Sequence, residues 1–432
     1  MARVDKKWMA AFFLMLFLGI GVSIRQPPFF MPDEGAHYMR AYEVSHLQLI
    51  NLRGDVGVPI ACSEYLVAAK KYNPTPNVQK KAEDGQNEPG CTVKSINTAG
   101  SYSFVPYVPA AIALRVAEAL GWKVEHRLSA ARAAGFVVWF SGLFAGLLFI
   151  NQGRLLLGCV VLMPAFFLQL VALSADGATF AACMVYACVV LGLIQRGQPV
   201  LCSNVLWLVG IAALIGSSKG VYAPLTLFSF ALWGQFSQRS WRYRLVVLSG
   251  PVVAALLVYL SFTALADPAQ VYLGNNAVPA AQMKYLLDNP SVFFKIFWEM
   301  LMTTEMQDLV APSYGVSSPR IALNIAVVIG LALAILMTRS DFGISKNVRL
   351  LAGGLSLIGF ASLCLPLYLT YTPVGYASVL GIQSRYYLPV IPLVCVALAF
   401  NTADVNWKSF QKNFAWIIVL PLVILVWSVW SI

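Results

Sequence analysis

Met31-Pro32-Asp33-Glu34-Gly35-Ala36-His37-Tyr38-Met39-Arg40 is the polar run on which the reading of this chain turns. It follows an apolar stretch, Trp8 to Ile24, that is itself preceded by Arg3, Lys6 and Lys7. Basic residues, then an apolar run, then a dense polar cluster is the order expected where a helix leaves a membrane. If the run is helical at ~1.5 Å per residue, two adjacent carboxylates, a histidine and an arginine lie within about 10 Å of the membrane surface. Pro32 ahead of the acidic pair suits a helix start, where proline fixes φ and anionic side chains meet the positive end of the dipole. Arg25-Gln26-Pro27-Pro28 offers no small-x-small cleavage site, so the first span reads as an uncleaved anchor and not as a signal peptide.

Working outward, the rest of the chain looks like scaffold. Its 432 residues are 59% hydrophobic and 11% charged, whereas soluble domains carry roughly 25% charged residues. Further stretches of spanning length fall at about 130–150, 155–173, 177–194, 200–216, 221–236, 245–265, 321–338, 350–369, 385–400 and 414–431, eleven spans with the first. The segment 103–121 carries Pro106 and Pro109 and is interrupted by Arg115 and Glu118, so it reads as an amphipathic helix along the interface. Counting it as a twelfth span would move Arg154 and the Arg239, Arg242, Arg244 cluster outside, against the positive-inside tendency. The expectation is therefore an all-α polytopic membrane protein with a module at 1–400 and a cytoplasmic loop plus last helix at 401–432. The N-terminus is cytoplasmic in this reading, and the outer loops are 25–129, 266–320 and 370–384. The net charge of +11 sits mainly in short inner loops and shows no interleaving with aromatics, so nucleic acid is not an expected partner. Cys62 and Cys91 are the two cysteines of the outer loops, where an oxidising compartment would permit a bond between them.

Four constellations can carry chemistry. Asp33 and Glu34 are neighbours that point in different directions on a helix. One is therefore free to act as a base while the other holds a hydroxyl or a cation; the plain alternative is a solvated charge pair at a helix start. Ser174-Ala175-Asp176-Gly177 puts a carboxylate at the start of a helix at the outer face, either as part of a helix cap or in a cavity. Gly216-Ser217-Ser218-Lys219-Gly220 places Lys219 at the outer boundary, where it either snorkels or meets a lipid phosphate. Gly381-Ile382-Gln383-Ser384-Arg385-Tyr386-Tyr387 brings Arg385 and Tyr386 to the mouth of a span. Arg385 offers the fork of donors that suits phosphate, and interfacial anchoring is the competing use. Arg25, Arg40, His126, Arg127 and Arg132 are weaker candidates for the same pocket. No glycine-rich nucleotide loop, HExxH or CxxC occurs, so the energy for any reaction must arrive with the substrate.

Taken together, Pro32-Asp33-Glu34 with His37 and Arg40-Ala41, then Ser174-Ala175-Asp176, then Gly381-Ile382-Gln383-Ser384-Arg385-Tyr386 resemble an uncharacterised bacterial family of polytopic membrane proteins. That family is similar to the GT-C superfamily of membrane glycosyltransferases that use polyprenyl-phosphate sugars. The resemblance covers about residues 10–400, with Ser384 standing where glycine is usual. It implies a GT-C-like fold whose large first periplasmic loop carries juxtamembrane helices, in a bacterial inner membrane with the active site facing the periplasm. It also implies that Asp33 is the catalytic base, with Glu34 as a second catalytic residue beside it. His37, Arg40, Asp176, Lys219, Arg385, Tyr386 and Arg127 are then candidates for substrate binding. Metal-binding members show Asp-x-Asp where this chain has Asp-Glu, so no cofactor is expected.

The implied function is inverting transfer of a sugar from an undecaprenyl-phosphate donor to a surface glycan such as O-antigen. The partners would be the lipid donor, the glycan acceptor, membrane lipids, and proteins that synthesise and flip the donor. A transporter or flippase of a lipid-linked glycan is the rival from another class, and a non-catalytic subunit of a glycan-assembly complex is a third reading. A transporter more often shows charges at mid-span and paired repeats.

Overall fold

A computed structural model of the chain describes residues 6–52, 57–69, 89–93, 99–100, 102–266, 274–303 and 342–399. The expected spans at 321–338 and 414–431, the 401–432 unit and the end of the 266–320 loop lie outside the described residues. Helix α1 (Lys6–Arg25) runs from a basic end of the molecule to the end bearing the polar run. At its start Trp8 lies under the Arg154 guanidinium, 5.8 Å from ring centre. Beyond its end the Gln26 and Pro27 carbonyls accept from Arg132.

The first loop folds as a cap with an apolar core of its own, built around Tyr38, Met39, Ile60, Leu114 and Leu128. Helix α2 (Glu34–Ser45) is buried from Glu34 to Val44, on every face. A polar helix taken wholly out of water must give each of its charged and hydroxyl groups a partner. It does so: Glu34 has Arg132, His37 has Tyr107, Tyr38 has Glu64, Arg40 has Glu43, and Tyr42 has Glu118. Strands β1 (Val58–Ala61) and β2 (Pro89–Val93) pair antiparallel, Val58 opposite Val93, with helix α3 (Cys62–Ala69) following β1. Cys62 and Cys91 are joined by a disulfide. Gly35 permits the close approach of α3 to α2, since a Cβ there would stand 2.1 Å from the Ala68 carbonyl oxygen. Helix α4 (Val108–Ala119) buries Ala110, Ala111, Leu114 and Ala117 along one stripe. Its 12 residues reach only about 18 Å, short of a ~30 Å hydrocarbon core.

The bundle below the cap alternates in direction. Helix α5 (Val124–Phe149) descends from Arg132 at the cap to the basic end, where Arg154 donates to the last carbonyls, those of Leu147, Leu148 and Ile150. A cation on the last carbonyls of a helix satisfies them and complements the dipole. The return stretch is broken into α6 (Arg154–Val161) and α7 (Pro164–Val171), bent by 63°. Pro164 explains the break: it starts a helix well but cannot donate into the one before it. Helix α8 (Ala175–Arg196) then descends, and α9 (Cys202–Lys219) climbs back. At Lys219 the backbone is extended (φ −149°, ψ 97°), and Gly220–Phe236 continues as a 3-10 helix. This arm runs down beside α8, with Tyr186 bonded to Thr226 O and Gln235 to Leu193 O. Its 17 residues reach about 34 Å at the larger 3-10 rise of ~2.0 Å per residue, so a stretch that looks short in sequence is long enough. Helix α10 (Trp241–Leu265) climbs against both arms, burying Leu248, Pro251 and Ala255 while exposing Leu256, Leu257 and Leu260. That outward apolar face suits lipid and not water.

With Cys202–Phe236 counted as one stretch, six helices among the described residues are long and apolar enough to cross a membrane, or seven with the bent pair α6 and α7 taken as one span. After α10 come α11 (Pro279–Asp288) and α12 (Pro290–Thr303), which pack at the cap end, where Gln282 bonds Tyr368 O, Pro373 O and Gly375 N. Helix α13 (Lys346–Thr370) climbs, and α14 (Ile391–Leu398) follows the Ser384–Tyr387 turn.

Candidate active site

Where α2, α8, α9 and the Ser384–Tyr387 turn meet under the cap, a cavity of about 570 Å³ opens. Asp33, His37, Asp176, Lys219, Arg385 and Tyr386 all line it, with Tyr102, Ser217 and Ser218. Each arrives for a local reason. Asp33 takes a left-handed backbone (φ 61°, ψ 6°) just before α2, a conformation aspartate tolerates better than most residues. The helix therefore starts at Glu34, two residues later than a proline-first start at Pro32 implies. The turn also sends the neighbouring carboxylates apart, Asp33 to the cavity and Glu34 to Arg132. Asp176 sits in the first turn of α8, near the positive end of its dipole. Ser174 precedes it in cap position, yet its hydroxyl makes no cap bond and has no hydrogen-bond partner. Lys219 ends α9. Gly381, at φ 78°, turns the chain towards the cavity, and a Cβ there would stand 2.5 Å from the Tyr371 ring.

The charges form a chain across the cavity wall. Arg385 donates through Nη2 to Asp33 Oδ2 and through Nη1 to Pro32 O at 3.0 Å. Its Nε lies 3.5 Å from Asp176 Oδ2, and Asp176 Oδ1 pairs with Lys219 Nζ. Lys219 also stands over the Tyr386 ring at 4.7 Å and the Tyr102 ring at 5.6 Å, a cation–π arrangement. The Asp33 side chain is 23% exposed while that of Asp176 is 7%, so Asp33 is the more accessible carboxylate. His37 Nδ1 is 2.7 Å from the Tyr107 hydroxyl, and its ring stacks on Tyr102 at 6.0 Å. Burial pushes the His37 pKa down to about 4, the nearby Asp176 opposing that shift and Lys219 adding to it, so His37 is neutral at pH 7. Burial likewise raises the Tyr102 and Tyr107 hydroxyls above the ordinary phenol value.

Other sequence candidates lie outside the cavity, each for a visible reason. Glu34 binds Arg132 through both oxygens and also accepts from Leu173 N at 3.2 Å. It joins the Asp33 turn to the segment leading into Asp176, so the expected catalytic role for Glu34 gives way to a structural one: its carboxylate is buried against Arg132 and does not line the cavity. Arg40 is consumed by Glu43 and by the carbonyls of Gln48, Leu49 and Tyr102. It thereby fixes the backbone of Tyr102, a cavity wall. Arg127 pairs with Glu64 at 3.1 Å and donates to Trp122 O. Arg25 and His126 are exposed at the surface. Ser217, Ser218 and Tyr222 are cavity residues not singled out from sequence, although both serines belong to the quoted run ending in Lys219. Among the described residues no group of three or more His, Cys, Asp or Glu side chains is placed to hold a metal ion.

Residues 16–394 match the model of the family described as predicted membrane protein (DUF2142), and the chain belongs to that family. Neither the curated proteins nor the solved structures contain a match to it.

Proposed function

We propose that this member of the DUF2142 membrane-protein family is a glycosyltransferase of GT-C type, moving a sugar from a polyprenyl-phosphate carrier to a glycan acceptor such as O-antigen. The observation that carries the reading is the meeting of Asp33 with Arg385, 352 positions apart in sequence, on the wall of a cavity that also holds Lys219. A carboxylate beside two cations at one depth is what transfer from a lipid phosphate requires. The acceptor hydroxyl attacks the anomeric carbon and gives its proton to Asp33. The new C–O bond forms as the bond from that carbon to the phosphate oxygen breaks, so the configuration inverts. The carrier leaves as its phosphate, whose developing charge Lys219 and Arg385 stabilise. A positioned general base contributes ~10²–10⁴-fold, and one preorganised donor aimed at developing charge ~2.7–4 kcal/mol. The Cys62–Cys91 bond in the cap supports an oxidising, periplasmic side for the cavity.

A flippase of lipid-linked glycans is the second reading, favoured by the broken α6 and α7 pair, since discontinuous helices are frequent in transporters. Purified protein given a labelled polyprenyl-phosphate sugar and a glycan acceptor separates the two. A transferase releases polyprenyl phosphate with no gradient present, and a flippase does not. Asp33→Asn should abolish release by the transferase while the protein remains folded in detergent; retained turnover would remove Asp33 from the mechanism.

A further inference from the structure

Three buried polar atoms on one wall of the cavity have no hydrogen-bond partner: Asp176 Oδ2, Arg385 Nε and Ser218 Oγ. Their residues are 6%, 6% and 1% exposed. Native proteins rarely leave such atoms orphaned, because each costs about 1–3 kcal/mol without a partner. They belong to α8, the Ser384–Tyr387 turn and α9, and all three residues line the cavity.

The chemistry of the three selects the ligand group. Asp176 Oδ2 only accepts, Arg385 Nε only donates, and a serine hydroxyl does either. Oδ2 and Nε face each other as an ion pair 3.5 Å apart, too long for a good hydrogen bond. A group seated against both must therefore donate to one and accept from the other. A phosphodiester oxygen has no proton to give and would face a carboxylate oxygen. A hydroxyl satisfies both atoms and leaves Ser218 to bond a neighbouring hydroxyl. We propose that Asp176, Ser218 and Arg385 Nε form a subsite that reads hydroxyls of the donor's sugar, distinct from the place of the carrier's phosphate. The proposal rests on the glycosyltransferase reading and orients the donor within it. The sugar lies against α8, and the phosphate lies towards Lys219, which has three N–H donors of which Asp176 engages one.

The test uses purified full-length protein and two probes, decaprenyl phosphate carrying a hexose (glucose, galactose or mannose in turn) and decaprenyl phosphate alone. Binding is followed by intrinsic tryptophan fluorescence. Ser218→Ala should weaken the best-bound hexose lipid about tenfold, the size of one lost hydrogen bond in a buried site, and leave the bare carrier unchanged. Ser218→Thr, which keeps the hydroxyl, should restore most of the loss. An equal loss for both probes makes Ser218 a support for Lys219 and overturns the proposal, as does no loss for either. If the wild-type protein binds neither probe, the glycosyltransferase reading falls and this one with it. If it binds both alike, only the sugar subsite falls.

Discussion

Removing Glu34 should unfold the molecule far more readily than its place beside a proposed catalytic residue implies. The Glu34 and Arg132 side chains are at most 1% exposed, so neither charge has water to fall back on. Deleting one partner of such a pair costs about 3–5 kcal/mol, chiefly the penalty of the charge left behind. In Glu34→Ala, Arg132 would keep only the Gln26 and Pro27 carbonyls. Leu173 N would also lose its acceptor, adding ~1 kcal/mol. Glu34→Gln, which still accepts hydrogen bonds, belongs at the low end of the range. Replacing both residues with methionine removes the stranded charge and should recover most of the loss. The double-mutant cycle should then show a coupling of at least ~2 kcal/mol. Thermal unfolding in detergent, read by tryptophan fluorescence for wild type, both single variants and the double, measures this. At about 2 °C per kcal/mol for a large chain, the single variants should fall by roughly 6–10 °C. The reasoning is refuted if either single variant loses less than ~1 kcal/mol, or if the double loses as much as the singles combined.

Other outcomes follow from the same geometry. Arg385→Lys keeps the charge but loses the planar fork, so it should weaken a polyprenyl-phosphate donor more than a glycan acceptor, by tenfold or more; the reverse order in paired titrations would deny Arg385 its phosphate role. His37 is held neutral with a pKa near 4, while the unfolded chain takes up that proton near 6.5. The unfolded state thus binds more protons between those values, and stability should fall as pH drops from about 6.5 to 4, by at most about 3 kcal/mol. His37→Gln should flatten that part of the curve, and an unchanged slope would remove His37 as its cause. The Cys62–Cys91 bond spans 29 positions, a loop whose closure is worth about 3–4 kcal/mol in the chain-entropy account. Cys62→Ala with Cys91→Ala should therefore make the cap markedly easier to digest with protease while the bundle persists; equal resistance would show that packing alone holds it.

Much of this was legible because hydropathy and local chemistry dominate a membrane chain. The apolar runs became helices α1, α5, α8, α10 and α13 close to their expected limits. Asp33, His37, Asp176, Lys219, Arg385 and Tyr386 share one cavity because each reads as lying at the same end of an apolar stretch, and stretches that pack together bring their ends to one depth. The stretch 385–400 nevertheless folds as the Ser384–Tyr387 turn and the short helix α14 and not as one span-length helix. Side-chain direction was not legible. Asp33 and Glu34 part because of a left-handed residue, which no pattern of neighbours announces. Arg127 finds Glu64 across 63 positions, beyond any local rule. Arg40 is different: Glu43 three residues on is an ordinary helical pairing distance, so its structural role had a readable signal. Pro164 likewise marked the break inside 155–173. The 3-10 form of Gly220–Phe236 had no composition cue, since its period is hidden in a uniformly apolar run.

The alternating row Asp33, Arg385, Asp176, Lys219 has a consequence for how anything finds this cavity. Two negative and two positive groups in contact cancel at a distance, and what field remains dies away faster than that of a lone ion. Beyond a Debye length of about 8 Å in physiological salt, an approaching anion feels little pull from them. For the proposed lipid-linked donor, capture would then depend on collisions within the plane of the bilayer, and the rate of encounter should be nearly indifferent to ionic strength, unlike that of sites that draw in their ligands through bulk water.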